Sequence, residues 1–201
     1  MPKTASTSVS QLLVNEFEGE FHGAHHNVVV PNECTGYYKF CTVRHPYTRA
    51  MSLFFHAKRT PKHRCNKVAS GTFVEYMEWL VDLNKEPLSF VNSNDIRPST
   101  QSSLEAEFYR ESINTRRGRD LNQVDFLSYF IGVNYIEKMD YIIRMENLQD
   151  GLSNLPFIGK NFNIPKKNVT DDRLGLQLNP YKKNLIYQWA KDDFFAFNYG
   201  R

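Results

Sequence analysis

Two rhythms of apolar residues alternate along the chain. In YTRAMSLFFHAKR, residues 47–59, Tyr47, Met51, Phe54 and Phe55 fall at three- and four-residue steps. That spacing predicts a helix, and Pro46 in front of it suits a first helical turn. Phe73, Met77, Leu80 and Val81 predict a second amphipathic helix, and NLIYQWAKDDFFAF a closing one. A further helix is expected near the start, over residues 7–17. The other rhythm is short and β-rich. YYKFCTV, residues 37–43, lies between Gly36 and Pro46 and predicts a buried strand. YIIRM, residues 141–145, predicts a second strand, with ENLQDGLSNL opening a helix after it. The polar runs EFEGEFHGAHHN, KRTPKHRCNK (58–67), 86–103 and 159–180 read as loops. Strands that alternate with helices argue for an α/β chain with a mostly parallel sheet flanked by helices.

A chain of 201 residues is expected to form one domain over residues 1–201 and to bury a sizeable core. The net charge of +3 is too small to imply nucleic acid, but would suit an anionic ligand if the charges gather in a cleft. Cys34, Cys41 and Cys65 have no metal-type spacing, and their odd number gives no disulfide framework, which points to a reducing compartment. No run of about 18 apolar residues predicts a membrane span. The start lacks the pattern of a signal peptide.

Candidate chemistry begins at the first loop, PKTASTS, which runs into the helix of VSQLL. Backbone N–H groups at a helix start bind anions, Ser6, Thr7 and Ser8 add hydroxyl donors, and Lys3 adds a point charge. The glycine-rich loop of nucleotide kinases is absent. A capped helix start beside an unrelated lysine is the plainer reading. A second motif, FCTVRHPYTRAMSLFF, places Arg44 at a strand end, where ligands bind in parallel sheets, and Ser52 eight residues on in the following helix. Arg44 in a structural ion pair, with Ser52 merely packed, is the alternative.

Together, P-K-T-x-S-T-S and V-R-x-P-Y-x-R-x-x-S resemble the carbohydrate sulfotransferases that use 3′-phosphoadenosine 5′-phosphosulfate (PAPS). The loop is most similar to that of the heparan sulfate 2-O-sulfotransferases. DIRPSTQSSL, DYIIRMENLQDGL and NLIYQWAKDDFFAFNYG are softer matches to later stretches of the family. The resemblance implies a P-loop-like three-layer α/β fold. It implies PAPS as co-substrate, with no metal, and a hydroxyl-bearing acceptor, most simply a saccharide. Carried over by position, Lys3, Thr4, Ala5, Ser6, Thr7 and Ser8 would hold the 5′-phosphosulfate, and Arg44 and Ser52 the 3′-phosphate. Family members have a strand leading into the loop, so a first strand is expected to be missing or truncated here. Location would be cytoplasmic if the chain is complete, or the Golgi lumen if it is a trimmed catalytic domain of the animal type.

Sulfonyl transfer needs a stabilised leaving phosphate, for which Lys3 is the candidate, and a base for the acceptor hydroxyl. FHGAHHN supplies His25, His22 and His26, in that order of preference, and the related 2-O enzymes use a histidine in this interval. Loop histidines on a wet surface are the bland alternative, and a zinc site lacks partners at suitable spacing. His45, His56 and His63 read as surface or phosphate-side residues. The basic run HAKRTPKHR (56–64) either faces an acidic acceptor or is a solvated loop, and Arg97 and Gln101 could touch the acceptor. Two other functions remain open at this point: another P-loop-like phosphotransferase, and a non-enzymatic nucleotide- or RNA-binding protein.

Overall fold

The structure is a computed structural model, and it describes residues 3–20, 36–61, 63, 65–85, 121–131, 138–159, 161–165 and 176–201. Helix α1 spans Ser6–Glu16. Strand β1, Phe40–Val43, leads into α2, Pro46–Arg59. A short α3, Asn66–Ala69, and then α4, Phe73–Lys85, follow. Helix α5 is Gln123–Ile131 and strand β2 is Tyr141–Arg144. A 3-10 turn, Met145–Asn147, runs into α6, Leu148–Ser153, and α7, Pro180–Ala196, comes last.

The helix starts follow from local chemistry. Pro46 takes the first turn of α2, and the Tyr47 N–H donates to Nδ1 of His45 at 3.3 Å. At α4, Thr72 and Glu75 form a reciprocal capping box: the Thr72 N–H donates to Glu75 Oε2 at 2.7 Å, and the Glu75 N–H to Thr72 Oγ1 at 3.2 Å. Asn179 caps α7 through the N–H of Lys182 at 2.9 Å.

The two strands pair in parallel, with Phe40 opposite Tyr141 and Val43 opposite Arg144. This is the α/β arrangement with a parallel sheet that the alternation of elements predicts, seen as two strands among the described residues. Side chains alternate across the pair. Phe40, Tyr141 and Ile143 pack with Val9 and Leu12 of α1 and with Leu152 and Leu155. Cys41, Val43 and Ile142 face the other way, toward Leu127 of α5 and Phe197. Helices therefore cover both faces. The approach on the first face is close: a methyl group added at Gly151 of α6 would collide with Ile143. The larger core lies among α2, α4 and α7, around Phe54, Tyr76, Met77, Leu80, Ile186 and Trp189.

The elements differ from expectation in detail. β1 is four residues long rather than the seven expected, and Tyr37 and Tyr38 before it are 68% and 41% exposed. β-propensity marked them, but no sheet neighbour buries them among the described residues. α7 bends at Ala190, whose φ of −123° and ψ of 30° are not helical. α5 has no counterpart in the predicted elements. No helix among the described residues is long and apolar enough to cross a membrane.

Candidate functional site

β1 ends at Val43, and Arg44 follows at the C-terminal edge of the parallel pair, where the strand-end argument expected it. Its backbone is fixed from both sides by one residue. The Arg44 N–H donates to Oε1 of Gln123 at 2.7 Å, and Nε2 of Gln123 donates to the Arg44 carbonyl at 2.8 Å. Gln123 is held in turn by Asp193 of α7. The Gln123 N–H and Nε2 both reach Asp193 Oδ2, at 2.9 and 3.0 Å, and the Val124 N–H reaches Oδ1 at 2.8 Å. Asp193 thus caps the first turn of α5 from another helix. Burial pushes its carboxyl above the usual range, against the pull of the Arg49 guanidinium and these N–H donors. Arg49 is itself fully buried, donates to the Leu121 carbonyl at 2.9 Å and lies over the Trp189 ring.

The Arg44 side chain runs toward the first loop. Its Nε donates to Thr48 Oγ1 at 3.0 Å, and one Nη lies 3.5 Å from the carbonyl of Lys3. The two motifs, 41 residues apart, therefore meet. A second tie lies deeper. The hydroxyls of Thr4 and Thr42 are 3.1 Å apart and buried, which pins the loop to the middle of β1.

The loop has no glycine, yet it adopts a backbone that favours glycine. Lys3 and Ala5 have φ of 65° and 63°, at a cost of about 1–2 kcal/mol each for an L-residue. The turn delivers the chain into α1 with Ala5 at the N-cap, no side-chain cap and no acidic residue in the first turn. Ser6 and Thr7 are half-buried and Ser8 is buried.

Electrostatics single out Lys3. Its ammonium is half-buried and makes no hydrogen bond or ion pair among the described residues. Burial holds its pKa below the usual lysine value, and the positive charges of Arg44 and Arg59 lower it further. Lys3 and Arg44 thus bring two positive charges together at one loop. Thr48, Ser52, Phe55 and Arg59 follow one another at steps of four, three and four, which puts them on one stripe of α2. The Thr48 end of that stripe holds Arg44. Ser52 lies on it as well, but at 2% exposure it sits beneath the surface and not on the rim.

Other expected residues have different places. His45 is a helix cap: its ring stacks among Tyr47, Phe194 and Tyr199, and burial lowers its pKa. Its N–H donates to Glu146 at 2.8 Å, and Tyr199 donates its hydroxyl to the same carboxylate at 3.1 Å. Arg144 binds the carbonyls of Phe197 and Asn198 at 2.7 and 3.1 Å, so the chain end is folded over the strand ends. His56 and His63 meet edge to face, with ring centroids 5.3 Å apart. Burial pushes the Cys41 thiol up to about 11, which makes it unreactive, and no group of metal-type ligands occurs among the described residues. His22, His25 and His26, and Arg97 and Gln101, lie outside the described residues.

Sequence reasoning missed Gln123, Thr42, Asp193 and Glu146. Only Asp193 carried a signal: it falls on the buried stripe of α7 with Leu185, Ile186, Trp189, Ala190 and Phe194. Comparison with protein-family models, with curated proteins and with solved structures returns no match.

Proposed function

We propose that this chain is a PAPS-dependent sulfotransferase that moves a sulfonyl group to a hydroxyl of an acceptor, with a saccharide as the acceptor class. The observation that carries the reading is the meeting of Arg44 with Lys3 at one strained loop, with no counter-charge for Lys3 among the described residues. Assembling like charges costs free energy, and an anionic ligand returns it. The loop at a helix start and the arginine at a strand end are where a doubly phosphorylated nucleotide would be held. A parallel strand pair with helices on both faces supports a P-loop-like three-layer fold.

In this reading the turn from Lys3 through Thr4, Ala5, Ser6, Thr7 and Ser8 takes the 5′-phosphosulfate, and Arg44, with Ser52 beneath it, takes the 3′-phosphate. The acceptor oxygen attacks sulfur in line while the bond from sulfur to the bridging phosphate oxygen breaks. Adenosine 3′,5′-bisphosphate leaves with the electron pair. Charge grows on the bridging oxygen, and the Lys3 ammonium stabilises it there. The acceptor proton passes to a histidine of the 22–26 segment, His25 before His22 or His26. Lys3 must carry its proton for this role, and the arriving anion favours that state.

Thermal shift with adenosine 3′,5′-bisphosphate, AMP and ATP tests the cofactor, and bisphosphate release from PAPS with saccharide acceptors tests the reaction. The expected result is stabilisation by the bisphosphate over the other two, abolished in Lys3→Ala and Arg44→Ala. His25→Ala should keep the shift and lose turnover. Equal stabilisation by all three nucleotides contradicts the proposal.

A further inference from the structure

We propose that Glu146 is a positioning residue of the Lys3–Arg44 site, and that Tyr199 of the C-terminal turn acts through it. Together they hold the peptide unit between Arg44 and His45, from which the Arg44 guanidinium is aimed at the first loop. The role rests on the reading of Lys3 and Arg44 as an anion site, and not on which anion they take.

That peptide unit lies between the end of β1 and the start of α2, where neither strand nor helix supplies its hydrogen bonds, so side chains hold it. Its carbonyl accepts from Nε2 of Gln123 at 2.8 Å, and its N–H, that of His45, donates to Oε1 of Glu146 at 2.8 Å. The guanidinium is tied to the same place. Thr48 accepts from Arg44 Nε at 3.0 Å and donates its own hydroxyl to the His45 carbonyl at 3.1 Å. Turning the peptide at His45 therefore turns the guanidinium, whose Nη lies 3.5 Å from the Lys3 carbonyl.

Glu146 can reach His45 because the parallel strands end level: Val43 stands opposite Arg144, and Glu146 follows two residues later in the 3-10 turn. Glu146 is exposed, and a single bond would leave its carboxylate free to rotate. Tyr199 supplies a second bond, donating its hydroxyl to Oε2 at 3.1 Å. The Tyr199 ring is itself held, with its centroid 4.9 Å from that of His45 and 5.0 Å from the Arg144 guanidinium carbon. The Tyr199 N–H closes onto the Phe194 carbonyl at 2.9 Å, and Arg144 binds the carbonyls of Phe197 and Asn198. Burial and the Glu146 charge push the Tyr199 hydroxyl up, so it keeps the proton it donates. A carboxylate bonded to the residue after Arg44 works against an anionic ligand by its charge, so charge and positioning predict opposite signs for its removal.

Calorimetric titration of inorganic pyrophosphate, AMP and adenosine 3′,5′-bisphosphate into the full chain, with exchange of the His45 amide read by NMR, provides the test. Glu146→Ala should quicken that exchange and weaken pyrophosphate and the bisphosphate by about fivefold or more. Glu146→Gln keeps an acceptor without the charge. It should restore slow exchange and bind both anions no more weakly than the wild type. Tyr199→Phe keeps the ring and loses the hydroxyl. It should weaken both anions by about two- to fivefold in the wild type and no further in Glu146→Ala, because it acts through that carboxylate. If pyrophosphate follows this pattern while the bisphosphate binds no better than AMP, Glu146 keeps its role and the nucleotide reading falls. If the bisphosphate is preferred but Glu146→Ala leaves both affinities unchanged, or tightens them as Glu146→Gln does, the positioning role falls and the nucleotide reading stands. A wild type that binds neither anion overturns both.

Discussion

Two groups of charged side chains, joined through Gln123, are built on opposite logics. Around Asp193 the charges are buried and answered: the carboxylate takes three N–H bonds from Gln123 and Val124 and feels Arg49, which in turn donates to Leu121. Around Lys3 the charges are half-open and of one sign. The first group holds helices in place, and the second has the form of a site waiting for an anion. Gln123 lets the first serve the second, because it fixes the Arg44 backbone with one end and meets Asp193 with the other. A charge cluster whose opposite charges answer one another reads as architecture. One that strains the fold reads as function.

Substitutions that break one group and spare the other sharpen this contrast. The largest effect is expected for Asp193→Ala, which strips a buried network of its centre and should lower unfolding free energy by about 3–5 kcal/mol in urea titration. Gln123→Ala leaves the N–H and C=O of Arg44 without their partner and should cost about 1–3 kcal/mol, while also weakening the bisphosphate. Lys3→Met should act in the reverse sense. Apo stability is expected to stay level or rise, and bisphosphate affinity to fall by about 10- to 100-fold.

The pH dependence follows from the direction of the Lys3 shift. The folded protein binds the Lys3 proton less tightly than the unfolded chain does, whose value is near the ordinary 10.5 of lysine. Between the lowered folded value and 10.5 the unfolded chain carries more of that proton. Wild-type stability should therefore rise with pH across this alkaline window relative to Lys3→Met, and bisphosphate affinity should fall as pH climbs through it. Parallel stability profiles for the two proteins would contradict this. The smallest effect belongs to Ala5→Gly. It removes the strain of a left-handed alanine, but glycine gives the unfolded chain more freedom, so the net gain should be about 1 kcal/mol or less, with ligand binding kept.

Much of the candidate site was legible because its two halves are local motifs. Lys3 and Arg44 stand out in short runs whose chemistry depends on neighbours in sequence, and FCTV and YIIR announce their strands by composition. The supports were not legible because their partners are far apart along the chain. Gln123 lies 79 residues from Arg44 and 70 from Asp193, and nothing in LNQVD marks it. In the pair of aspartates of KDDFF, Asp192 is exposed and Asp193 is buried, and only helical register separates them. The left-handed backbone at Lys3 and Ala5 was hidden for a related reason: glycine would have announced it, but here the fold imposes it on other residues.

The central claim is that the unanswered charge on Lys3 is half of a binding site. Calorimetric titration of adenosine 3′,5′-bisphosphate, with AMP as the reference, tests it most directly in the wild type and in Lys3→Met. The expected result is a saturable 1:1 isotherm that is tighter for the bisphosphate than for AMP in the wild type and weakened in Lys3→Met, with the apo fold unharmed. Equal affinity for the two nucleotides, or an isotherm that Lys3→Met leaves unchanged, would contradict it.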